Sequence, residues 1–116
     1  MVDSILNTIK KLLNIPPNDT AFDVEILVHI NSVFMMLNQL GIGPETVYQI
    51  NGSTEKWSDF LGEDETKYNA VKSLMYLKVR LMFDPPGTPF LISSMEAQIS
   101  EMVFRLTTQA YIAPVE

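Results

Sequence analysis

The side chains able to do chemistry are few in this chain and stand apart from one another. Its single histidine, His29, lies one helical turn after Glu25, which would bring imidazole and carboxylate to the same side of a helix. A nucleophile-base pair or a zinc site needs more than that: a thiolate, hydroxyl or further imidazole close by, and a pocket for the reacting group. The chain has no cysteine, so thiolate ligands, a cysteine nucleophile and disulfides are excluded. Glu25 and His29 therefore read as ordinary helix residues bordering an apolar stripe, and we assign no catalytic and no metal-binding residue. The acidic run Glu63, Asp64 and Glu65 lacks the alternating ligands and fixed glycine of a calcium loop. It reads as a helix start, where unpaired amides favour negative charge. Gly41-Ile42-Gly43 lacks the third glycine and the preceding strand of a dinucleotide loop, so no cofactor is expected.

One cationic feature remains. Lys72, Tyr76 and Arg80 recur every fourth residue and would form a small basic ridge on a helix, facing DNA or an acidic partner. The overall charge weighs against DNA: 8 Lys and Arg against 14 Asp and Glu leave −6, with a pI near 4.6. Proteins that hold the phosphate backbone gather many more cations, so a protein contact or an ion pair between subunits is the better reading.

Helices must position these residues. The first, about residues 3–14, carries Ile5, Leu6, Ile9, Leu12 and Leu13 at helical spacing, with Asp3 or Ser4 as cap and Pro16-Pro17 as the stop. Thr20 to Asp23 has capping-box spacing ahead of a second helix whose stripe is Ile26, Ile30, Val33, Leu37 and Leu40, closed by Gly41 and Gly43-Pro44. Val47, Tyr48 and Ile50 ahead of Asn51-Gly52 predict a short irregular segment or hairpin, followed by one helical turn bearing Trp57, Phe60 and Leu61. A third long helix, about residues 64–83, has two apolar stripes: Tyr68, Val71, Met75, Val79 and Met82 on one, Leu74, Leu77 and Leu81 on the other. Two stripes need two partners. Thr88 and Pro89 open a fourth helix to about residue 107, with Ile92, Met95, Ile99, Met102 and Leu106 inward. Residues 108–116, with Tyr111, Ile112 and Pro114, read as a flexible apolar tail.

The expectation is thus an all-α chain, one domain over residues 1–116, built as a small bundle of about four main helices. A chain of 116 residues buries only roughly 60–70% of its unfolded surface, so its core is thin and a neighbouring subunit could supply further burial. Of the methionines, Met35 and Met36 cannot both face the stripe of the second helix, which makes one of them a candidate subunit contact. The apolar runs are too short to cross a bilayer, and Met-Val-Asp-Ser lacks the basic start of a signal peptide. Neither membrane nor export is expected.

Laid out in order, several stretches are similar to one family. Asn14-Ile15-Pro16-Pro17, His29-Ile30-Asn31-Ser32, Leu37 to Pro44, Trp57-Ser58-Asp59-Phe60-Leu61, the run Tyr76 to Pro86, and Ile99-Ser100-Glu101-Met102 resemble the small head-tail connector proteins of tailed bacteriophages. The resemblance spans nearly the whole chain. It implies a helical bundle whose copies form a homo-oligomeric ring beneath the dodecameric portal, extend the DNA channel and receive a tail-side completion protein. DNA would be only passing cargo, and no catalytic residue is implied. The place would be the virion, at the head-tail interface, after assembly in the bacterial host cytoplasm. In that setting Leu74, Leu77, Leu81, Met35 and Met36 are expected at the subunit interface, Tyr111, Ile112 and Pro114 at the portal, and Lys72 and Arg80 at a charged contact. The rival expectation is a DNA-binding or DNA-packaging accessory protein that uses the Lys72 and Arg80 ridge.

Overall fold

The computed structural model describes residues 2–63 and 65–111, with side chains described as far as residue 108. Among the described residues there are five helices: α1 (Ile5–Leu12), α2 (Asp23–Gln39), α3 (Trp57–Leu61), α4 (Tyr68–Phe83) and α5 (Pro89–Tyr111). No strand occurs among the described residues; the one β-type pairing is an isolated antiparallel bridge between Ser4 and Lys56.

The termini of the first two helices follow from local chemistry. Ser4 caps α1, its hydroxyl accepting from the Asn7 amide at 3.2 Å. The helix closes before the prolines are reached. Asn14 takes a left-handed conformation, φ 63°, so that Ile15 N donates to Lys10 O at 2.8 Å and Asn14 N to Lys11 O at 3.1 Å. That is a Schellman closure with asparagine in the position glycine usually fills. α2 ends the same way: Gly41 has φ 79°, and Ile42 N reaches Leu37 O at 2.9 Å. The expected capping box at Thr20 does not form, and Phe22 is the cap residue without a side-chain bond. Asp23 is drawn away instead, its carboxylate lying 2.9 Å from the Lys10 ammonium.

α4 packs against both α2 and α5, and α1 leans on α2 and α4. Ile26, Ile30, Val33, Phe34 and Leu37 of α2 meet Val71, Leu74, Met75 and Val79 of α4 in a continuous core that also takes Ile5, Leu6 and Ile9. Both stripes of the third predicted helix are therefore largely covered within the subunit. That helix starts at Tyr68, later than the acidic run, and its first turn contains no acidic residue. Glu63 and Glu65 are exposed in the turn ahead of it, and Asp64 lies outside the described residues.

Two further expectations are made definite. Of the two forms expected for residues 47–52, the irregular segment is the one present, because the partner that Ile50 finds is a side chain: Asn31 Nδ2 donates to Ile50 O at 3.0 Å and Ile50 N donates to Asn31 Oδ1 at 2.8 Å. The last helix runs through residue 107 to Tyr111, since neither proline nor glycine interrupts residues 108–111. Trp57 and Phe60 of α3 are buried as expected, with Trp57 Nε1 donating to Thr8 Oγ1 at 3.1 Å.

Candidate protein-interaction surface

Among the described residues, no concave surface collects reactive groups. A cleft of about 500 Å³ between α1 and α4 is lined by Ser4, Thr8, Lys11, Tyr68 and Lys72, among others, and it brings no acid-base pair together. His29 Nε2 stands 3.7 Å from Glu25 Oε2 with the carboxylate more than half exposed, a surface pair without a third orienting group. No cluster of three His, Asp or Glu able to hold a metal ion occurs among the described residues. Burial, with the nearby Asp59 and Glu55 carboxylates, raises the Tyr48 pKa above its ordinary 10.0.

The cationic ridge is partly tied down. Lys72 Nζ sits 4.7 Å from the centroid of the Tyr68 ring. Arg80 Nη1 donates to Tyr76 Oη at 3.1 Å. Lys11 of α1 lines the same cleft as Lys72, a neighbour that spacing along a single helix does not reveal.

The residues expected at an interface divide by accessibility. Leu74 is fully buried and Leu77 nearly so, both inside this chain. Leu81 and Met36 are half-buried, whereas Met35 is 50% exposed. Ile112 and Pro114 lie outside the described residues, as does the Tyr111 side chain.

Larger bare apolar surface lies where stripe counting did not look. Val24, Val28 and Met35 share one side of α2, turned away from Ile26, Ile30 and Val33, and are 78%, 58% and 50% exposed. On α5, Phe90 and Phe104 are 79% and 68% exposed, two heptads apart with Ala97 midway. Exposed aromatic and branched side chains aligned on single faces mark contact surfaces. The signal was present in the sequence: between Glu25 and Glu45 there is no Asp, Glu, Lys or Arg, so α2 has no charged side to give to solvent along most of its length.

Among the described residues the fold is all-helical and leaves apolar side chains bare on two helices, the surface of a class of proteins that work by contact with other proteins. Comparison with known families makes the class specific: the phage connector proteins match over residues 5–111. The chain belongs to that family, and is a structural connector of phage particles that engages other head or tail proteins. No curated protein and no solved structure matches. No helix among the described residues is long and apolar enough to cross a membrane.

Proposed function

We propose that copies of this chain, each acting as one helical domain, form a ring below the dodecameric portal. The ring joins capsid to tail, extends the DNA channel and receives the tail-side completion protein, with assembly in the host cytoplasm. The observation that carries this reading is the apolar surface left bare on α2 and α5 of a connector-family chain, because an adaptor needs contacts on more than one side. Of the interface set, Met35, Met36 and Leu81 are within reach of a neighbour, while Leu74 and Leu77 support them from inside the subunit. Tyr111, Ile112 and Pro114 dock the portal. Co-expression with the portal followed by electron microscopy tests the reading: ring density beneath the portal is expected, and portal particles lacking the chain would overturn it. Replacing the three docking residues by alanine should weaken portal binding, and undiminished binding would remove their role.

A second reading, DNA binding, draws support from Lys11 standing beside Lys72 in one cleft. Duplex retention at moderate salt that disappears in Lys72→Ala and Arg80→Ala would favour it. Absence of retention favours the adaptor.

A further inference from the structure

Resting on the connector reading, we propose that the outer face of α2 in one copy packs on the outer face of α5 in the next, a head-to-tail contact between two different surfaces. Three observations carry it.

The first is position. α2 and α5 each turn their core side to α4 and make no substantial contact with each other. Their bare stripes therefore look outward from separate flanks of the subunit. Two distinct apolar patches on one chain suit a heterologous contact, in which each copy uses one patch toward each neighbour and the chain of contacts can close into a ring.

The second is shape. Between Phe90 and Phe104 the outward side of α5 carries Ala97 at its centre, the small residues Ser93 and Ser100 on one border, all exposed, and Glu101, ion-paired with Arg105, on the other. The two rings thus bound a saddle whose length, at 1.5 Å of rise per residue, is ~21 Å. The stripe from Val24 through Val28 to Met35 measures ~16 Å by the same rise and fits within it. Small residues let two helix backbones approach closely, and the phenylalanines close over the ends.

The third is charge. The bare stripe of α2 lies largely in the stretch from residue 26 to residue 44, which holds no Asp, Glu, Lys or Arg although the chain carries 22 such residues, 8 basic plus 14 acidic. Depletion of charge distinguishes the buried centre of an interface from ordinary surface. A solvated helix face in so acidic a protein would carry carboxylates.

Because the chain has no cysteine, Val28→Cys and Ala97→Cys place unique reporters at exposed positions on the two faces. In assembled particles treated with a mild oxidant, the chain bearing both substitutions should give a ladder of disulfide-linked multimers, and each single variant should stay unlinked. A dimer from Val28→Cys alone would mean that α2 pairs with itself, which overturns the head-to-tail contact. Particles that contain the doubly substituted chain yet give no ladder also overturn it, and leave the connector reading standing. Particles that lack even the unsubstituted chain overturn the connector reading, and this contact with it.

Discussion

Asn31 on α2 holds Ile50 by both of its backbone polar groups, donating from Nδ2 to the carbonyl at 3.0 Å and accepting the amide on Oδ1 at 2.8 Å. One carboxamide thus does for Ile50 what an adjacent strand would do, and the irregular 47–52 segment is held against α2 with Ile50 buried. Asn31→Ala removes both bonds from a part-buried backbone and should cost roughly 1–3 kcal/mol. Asn31→Asp keeps the acceptor but sets a carboxylate against the Ile50 carbonyl, so it should be worse than Asn31→Ala. Urea unfolding of the three proteins provides the ranking, and hydrogen exchange at the Ile50 amide should accelerate in Asn31→Ala. An unchanged exchange rate would mean that Asn31 is not the partner that protects it.

Lys10 is 1% exposed, and its ammonium is held by the Asp23 carboxylate at 2.9 Å and by the Pro17 carbonyl at 3.1 Å. The pair ties the end of α1 and the proline turn to the start of α2. Removing only the carboxylate leaves a buried cation with one neutral partner; with Asp23 partly open to water, Asp23→Ala should cost roughly 2–3 kcal/mol. Adding Lys10→Met to Asp23→Ala removes the stranded charge while keeping most of the side-chain volume, and should recover part of that loss. If the double variant proved less stable than Asp23→Ala, the account of Lys10 as a stranded charge would fail.

These two contacts mark where sequence reading stops. The stripe Ile26, Ile30, Val33 and Leu37 was legible because helical periodicity is local, and Gly41 ended α2 as its residue type demands. Asn51-Gly52 left a hairpin and an irregular segment both open because local turn chemistry contains no information about Asn31, which competes for Ile50 from a distant part of the chain. Lys10 counts as a surface cation in any composition, and its burial depends on Asp23 arriving from the next helix. The candidate surface was half legible for a related reason. Stripe counting identifies which side of α2 goes inward, but on a helix apolar around most of its circumference it passes over the outer Val24 and Val28. Leu74 and Leu77 had the same apolar character, and only the packing of α4 between two helices decided that they face inward in this subunit.

Gly43 is required twice over. Its φ is 90°, and a Cβ built there would collide with Phe60 Cε1 and lie 2.6 Å from Cζ. Phe60 has little room to yield, since its ring packs on Phe34 at 4.7 Å and on Tyr48 at 5.5 Å between centroids. Gly43→Ala should therefore cost roughly 2–4 kcal/mol, combining left-handed strain with overpacking. Gly41, with φ 79° but nothing within 4 Å of a built Cβ, should lose only about 1–2 kcal/mol on the same change, from backbone strain alone. Equal midpoints for the two variants in urea would show that the Phe60 contact contributes nothing.

Tyr48 couples this aromatic group to alkaline pH. Its ring meets Phe34 edge-on at 5.0 Å, and burial, then Asp59, then Glu55 raise its pKa above the ordinary 10.0. A folded-state pKa above the unfolded one means that the folded protein retains the proton more tightly. The resulting stability is fully present below about pH 10 and is lost as pH rises through the folded-state value. Tyr48→Phe has no proton to lose at this position, so its stability should fall less steeply above pH 10 than that of the unsubstituted chain. Parallel alkaline slopes in urea unfolding would mean that ionisation of Tyr48 is not resisted by the fold. A difference in slope that opens only above pH 10 would place the effect on the phenol and not on general loosening.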